Sequence, residues 1–147
     1  MSNKSSGTAF EREWAQMLAD HGFWAHCLKD NANGQPFDVI ASRNGIAYVF
    51  DCKECASGRF QLSRIEENQK NAMTLWRETG NTMGMFVLKF EELIILVPYR
   101  VMEILQKNRK ASISKAEACW VGWTAAYWFE CQDRLNTRWE DAGHNKQ

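Results

Sequence analysis

Two strand-like runs, "FDVIAS" (37–42) and "IAYVFDCK" (46–53), flank the dipeptide Asn44-Gly45. That dipeptide is the strongest short-range signal for a β-hairpin, because both central residues of a type I′ turn need positive φ. A two-residue turn at this point sets the register of the pair, and the register places Asp38 directly opposite Asp51. The Cβ atoms of such a pair lie roughly 4.5–5.5 Å apart, where like charges repel. Strand alternation puts Lys53 on the face of Asp51 and sends Val39, Phe50 and Cys52 to the other. Ile40 and Val49 share the face of the acids and argue against its full exposure. A hairpin that sets two carboxylates against each other needs something to offset their repulsion.

Facing carboxylates respond in one of two ways: one takes up a proton, or both stay ionised around a divalent cation. Oxygen ligands favour a hard metal. Mg²⁺ keeps several waters and usually binds through one or two carboxylates plus substrate phosphates, which suits a phosphodiester substrate. The metal would polarise the phosphate and lower the pKa of an attacking water. Lys53 would hold or deprotonate that water, or stabilise the charge growing on the phosphoryl oxygens. Glu11 shares a helical face with Trp14, Ala15 and Leu18, where an acid is unexpected, and is a third inward-facing candidate. It reads equally as a first-turn acid favoured by the helix dipole. Gln69, on a stripe with Ile65, Met73 and Trp76, is an amide that needs partners if buried.

The surrounding pattern predicts the order α, β, β, β, α, β, β, α. A first helix follows Ser5-Ser6, carries Phe10, Trp14, Met17 and Leu18, and stops at Gly22. "FWAHCLK" reads as a strand and "DNANGQP" (30–36) as a turn-rich loop. Ser63 with Glu66 forms a capping-box signature opening a helix that ends near Gly80. "GMFVLKF" and "ELIILVP" read as strands, and Tyr99 to Asn108 as an amphipathic helix. Ala116 to Cys131 fits helix or strand, and the polar tail from Asp133 is expected to fray at its end. The expected fold is α/β, a central mixed sheet flanked by helices. It forms a single domain over 1–147 with its core at about 5–115 and an unassigned extension at 116–147.

Charge gives no further direction, since eighteen basic and eighteen acidic residues cancel. Lys29, Arg59, Arg64 and Lys70 flank the acids, and Arg109, Lys110 and Lys115 form a second cluster; lining one face, they would neutralise phosphates. Five cysteines without framework spacing, and a start lacking an apolar segment, point to a reducing, cytoplasmic setting. The longest apolar run, "LIILV", is far too short to cross a bilayer. Cys52 and Cys55 have the spacing of zinc ligands, with His21, His26 and Cys27 upstream, but no second matching pair follows. Seven tryptophans exceed what a DNA groove needs and read as core or dimer contacts.

Asp38, followed by Asp51-Cys52-Lys53, resembles the bipartite signature of the PD-(D/E)XK nuclease superfamily, and "GTAFERE" resembles its early-glutamate helix. From Gly7 to Lys115 the chain is similar to the Holliday-junction resolvases of the RecU and archaeal Hjc type. The likeness lies in "GTAFERE", "FDVIA" to "FDCKE", "FQLSRIEENQ", "GMFVLKF" and "RKASISK". The resemblance implies a restriction-endonuclease-like core. It implies Mg²⁺, with Mn²⁺ able to substitute, on Glu11, Asp38, Asp51 and the Cys52 backbone carbonyl. It also implies catalysis by Lys53, support from Gln69, and a homodimer, because a four-way junction needs two symmetric cuts. Three departures stand out: Phe37 separates Pro36 from Asp38, aspartate stands at 51 where these resolvases usually carry glutamate, and "DNANGQP" is too short for the stalk of RecU-type enzymes. The implied function is a Mg²⁺-dependent, structure-selective DNA endonuclease. The alternatives are a duplex-cutting nuclease of the same fold, a DNA-binding module that does not cleave, or a structural dimer built on tryptophans.

Overall fold

The computed structural model describes the backbone of residues 3–29 and 35–141, and side chains within 9–29 and 35–136. Most of the loop "DNANGQP", namely 30–34, and the end of the tail, 142–147, lie outside the described residues.

Helix α1, Asn3–Asp20, begins two residues before Ser5, so Ser5 and Ser6 lie within its first turns rather than ahead of it. Nothing in Asn3-Lys4 interrupts helical backbone. It closes where expected: Gly22 takes φ +82°, which lets the amide of Phe23 donate to the carbonyl of Leu18. Strands β1 (Trp24–Cys27), β2 (Val39–Arg43) and β3 (Ile46–Glu54) follow, the last two joined by Asn44 (φ 57°) and Gly45 (φ 77°). The turn signal and the predicted hairpin are both present.

Beyond β3 come the short strand β4 (Arg59–Gln61) and helix α2 (Glu67–Glu78). The helix opens at Glu66 rather than at Ser63, which lies in a separate 3₁₀ turn over 62–64. Ile65 is extended and buried between them, and the amide of Glu66 donates to the side-chain oxygen of Gln69. The capping partner is thus three residues later than predicted. Strands β5 (Met85–Phe90) and β6 (Leu93–Pro98) and helix α3 (Tyr99–Lys107) match their predicted segments.

The last quarter resolves as β7 (Ser112–Ser114), α4 (Lys115–Val121), β8 (Trp123–Thr124) and α5 (Ala125–Asp141). A capping box starts α4: the amide of Glu117 donates to the Ser114 hydroxyl, and the Glu117 carboxylate accepts from the amide of Ser114.

Six strands form one sheet in the order β1-β2-β3-β5-β6-β8, with β3 and β5 parallel and the other neighbours antiparallel. A separate ribbon pairs β4 with β7. This is the mixed α/β sheet that the sequence predicts. One face packs α1 and α5 against it, with Trp14 at the centre of an aromatic cluster of Phe50, Trp128 and Phe129. The other face carries Val49, Phe86 and Ile95 beneath residues of α2, α3, α4 and the ribbon, including Met73, Met102, Ala118 and Ile113. Both faces of the central strands are therefore dry, and a charged group on β3 has little access to water.

The tryptophans, expected as core or dimer contacts, divide between interior and surface. Trp14 and Trp128 are buried, but Trp24, Trp123 and above all Trp120, 89% exposed, face outward.

Candidate active site

Strand β3 carries Asp51 and Lys53 on the face of Val49, while Phe50 and Cys52 point to the face covered by α1. The hairpin register Val39 to Phe50, Ile40 to Val49, Arg43 to Ile46 is the predicted one. It stops one residue short of the acids. The amide of Asp38 donates to the carbonyl of Phe50, which Val39 already faces, so two residues of one strand oppose one of the other. That is the count of a β-bulge, a device that re-aims a side chain. Asp38 is thereby not a regular cross-strand partner of Asp51, and the prediction of a direct pairing is corrected.

The slip gives Asp38 a set of donors that a ladder position would not. Its Oδ2 accepts from the amide of Cys52 at 2.7 Å, and its Oδ1 accepts from the side-chain amide of Gln35. Its carbonyl accepts from the amide of Leu28, so the backbone is held from both sides. Gln35 escaped the sequence reading; its only signal was a polar side chain in the approach to Pro36.

Asp51 is the opposite case. It is fully buried, and among the described residues neither carboxylate oxygen has a hydrogen-bond partner. The Lys53 Nζ stands 3.5 Å from Oδ1, an ion pair longer than a good charge-assisted hydrogen bond. Burial pushes the Asp51 carboxyl well above the usual carboxylate range, the neighbouring Asp38 adds to the shift, and Lys53 offsets only part of it. An orphaned buried carboxylate beside a second, anchored one is the donor set of a hard divalent ion, so the residues present fit such a metal.

Glu11, on α1, is half-buried on the other side of β3. Its charge, with those of Asp38 and Asp51, raises the pKa of the buried Cys52 thiol behind burial itself, and it acts in the same sense on Cys27. The Cys27 thiol donates to the Glu11 carbonyl at 3.6 Å. Glu11 is therefore a neighbour of the pair. Among the described residues, however, no three His, Cys, Asp or Glu side chains gather closely enough to enclose an ion by themselves.

Gln69 sits on α2, half-buried, with its side-chain oxygen taken by the amide of Glu66. Cys55 is buried, its thiol donating to the carbonyl of Lys53. Of the flanking cations, Arg64 is anchored on β3: its guanidinium donates to the carbonyl of Glu54 at 2.7 Å and covers the ring of Phe60. Arg59 donates to the Ser112 hydroxyl and pairs with Glu117, Lys70 faces Glu67 at 3.9 Å, and Lys29 is exposed. Lys89, opposite Glu54 in the parallel β3-β5 pair, binds both carboxylate oxygens of Glu13 at 2.8 and 2.9 Å. A lysine inside the apolar run "GMFVLKF" was the signal for it.

A family model described as archaeal Holliday junction resolvase (Hjc) matches residues 2–119 of the chain. No curated protein matches it in sequence. Among solved structures, the fold is similar to that of Archaeoglobus fulgidus Hjc, a Holliday junction resolvase from an archaeal hyperthermophile. The TM-score is 0.63 at 20% identity, over 84% of this chain and 99% of the other.

Proposed function

Since the chain belongs to the archaeal Holliday junction resolvase family and is a junction-resolving endonuclease, we propose that Asp38 and Asp51 hold its divalent metal and that Lys53 serves the cutting step. The observation that carries this reading is the buried Asp51 carboxylate, with no hydrogen-bond partner among the described residues, set between Asp38 and Lys53. Such a group is expensive to keep unless a ligand completes it. Mg²⁺ is the ion that two carboxylates and a phosphate suit best, with Mn²⁺ able to replace it. When bound, it supplies Lewis-acid polarisation of the scissile phosphate and a water of lowered pKa.

The protein's own residues have separate tasks. Asp38 is fixed by the Cys52 amide and Gln35 and presents a defined oxygen. Asp51 stays free to accept a ligand. The Lys53 ammonium orients the attacking water or neutralises charge that develops on the phosphoryl oxygens. Glu11 and the Cys52 carbonyl would be the further ligands, and Gln69 supports the site through its hold on the first turn of α2. Lys29, Arg59, Arg64 and Lys70 contact phosphates of the bound DNA.

We also infer a homodimer, because two symmetric nicks need two sites, and an intracellular setting, where junction DNA is found. The five free cysteines favour a reducing compartment. Among the described residues no helix is long and apolar enough to cross a membrane.

The test is cleavage of a synthetic four-way junction, a duplex and single strands, with Mg²⁺ or with EDTA. The expected result is paired, symmetric nicks in the junction alone, only with metal, and lost on Asp38→Asn, Asp51→Asn or Lys53→Ala with junction binding retained. Cleavage at the wild-type rate by these variants would overturn the assigned roles. Equal cutting of duplex would instead replace junction selectivity by a duplex-cutting nuclease of the same fold.

A further inference from the structure

We propose that a shallow groove between α2, the end of α3 and the segment before β7 binds the phosphodiester backbone of a DNA arm, away from the bond that is cut. This rests on the reading of the protein as a resolvase. The groove, of about 420 Å³, has Leu62 and Ala111 in its wall and the polar side chains of Gln61, Ser63, Lys70, Gln106, Arg109 and Lys110, and among the described residues no carboxylate lines it. Three cations, two amides and a hydroxyl are the donors that phosphate oxygens accept from, and they carry no sequence code. Lys70 comes from one sequence cluster and Arg109 with Lys110 from another; only the fold joins them.

The groove is tied by hydrogen bonds to the strand that carries the candidate catalytic pair. Its two walls are tied together by Gln106, which donates to the carbonyl of Leu62 at 3.3 Å, and by the amide of Leu62, which donates to Ala111 at 3.0 Å. The same turn is tied through Arg64 to the carbonyl of Glu54, at the end of the strand that bears Asp51 and Lys53. The groove and the strand bearing the catalytic pair are thus held in a fixed relation through the 62–64 turn.

The three cations are not equally free. Lys110 is held by Glu117 at 2.8 Å, and Lys70 lies 3.9 Å from Glu67. Arg109 has no ion-pair partner among the described residues. Its backbone carries a second sign. It closes α3 with φ +59°, its amide donating to Gln106 and that of Lys110 to Leu105, the helix ending for which glycine is the suited residue. An arginine here holds its backbone in a region that side chains disfavour, while its guanidinium makes no ion pair within the described chain. A phosphate partner gives that guanidinium an occupation.

Arg109→Gly is the decisive variant, since it removes the cation and relieves the backbone together. Binding to a four-way junction would be followed by fluorescence anisotropy in EDTA, across a range of salt, for wild type, Arg109→Gly, Lys70→Ala and Arg100→Ala, an exposed cation of α3 outside the groove. Each groove variant should bind several-fold more weakly, with a plot of log K against log salt shallower by about one. Arg109→Gly should melt at or above the wild-type temperature, and Arg100→Ala should bind as wild type. An Arg109→Gly protein with unchanged affinity and salt slope would overturn the groove, as would an equal loss in Arg100→Ala. Failure of wild type itself to bind any junction would instead remove the resolvase reading beneath it.

Discussion

Removing the charge of Asp51 should stabilise the metal-free protein, and the gain should grow with pH. Burial and Asp38 raise the folded-state pKa of Asp51 well above its ordinary value of 3.8, with Lys53 opposing. Below about pH 4 the group is protonated in the folded and unfolded chain alike and contributes no difference. As pH rises through the window between the unfolded and the raised folded value, the unfolded chain releases its proton first. Stability is lost there, by at most about 1.4 kcal/mol per pH unit for one proton. Asp51→Asn removes this dependence, so the difference between variant and wild type in EDTA should widen from pH 4 upward and level off above the folded value. For a chain of this length each kcal/mol corresponds to roughly 2–4 °C in Tm. A divalent ion acts in the opposite sense: at a hundredfold excess over Kd it should restore about 2.7 kcal/mol to wild type and far less to the variant. Chemical denaturation at four pH values, with EDTA and with Mg²⁺, reads all of this. Parallel pH curves for the two proteins, or equal stabilisation of both by Mg²⁺, would refute the reasoning.

Other outcomes follow from particular contacts. Lys53→Ala should lower single-turnover junction cleavage by about 10²–10³-fold, as expected for loss of a group that stabilises developing charge, while anisotropy shows junction affinity within a few-fold of wild type. Glu117, lowered to about 2 by Lys110 and the Ser114 backbone, contributes stability that is present above the unfolded carboxylate value and lost as pH falls towards 2. Melting curves of wild type and Glu117→Gln should therefore differ at neutral pH and converge in acid. Gly122→Ala would set a Cβ 2.3 Å from the carbonyl of Leu96. The strain should destabilise by about 1–3 kcal/mol in denaturant titrations, with increased exchange at the β6-β8 edge.

The hairpin was legible because its determinants are local: Asn44-Gly45 specifies the turn, the turn specifies the register, and the register brings the acids to the same end of the pair. The bulge at Asp38 was not, because it depends on what lies on each side. The carbonyl of Asp38 is taken by Leu28 of the neighbouring chain segment and its carboxylate by the Cys52 amide, and neither partner is visible in a pattern of polar and apolar residues. Strands β4 and β7 are three residues each and exist only as partners of one another. The stretch from Ala116 defeated periodicity for a different reason. Trp120 and Trp123 are exposed while Trp128 and Phe129 are buried, so large apolar residues there do not mark one face. Lys70 and Arg109 share a groove only after α2 and α3 pack, which no linear spacing announces.

Asp38 and Asp51 illustrate why a candidate site can be proposed from sequence when the surrounding geometry cannot. Either carboxylate could be accommodated singly, since Asp38 gains an amide of β3 and the side chain of Gln35. It is the second acid, in a strand dry on both faces, that has no structural account among the described residues: its oxygens have no hydrogen-bond partner there, and the Lys53 ammonium stands 3.5 Å away. Hydrophobic burial alone would have selected an apolar residue beside Val49, at no desolvation penalty. An acid there makes the folded protein less stable than it could be and leaves a gap in its polar accounting that the proposed cation would fill. The same logic applies at Arg109, where a backbone suited to glycine carries a guanidinium with no ion-pair partner among the described residues. Two positions that each work against the stability of the isolated chain therefore mark the two places where metal and DNA phosphate enter the proposed function.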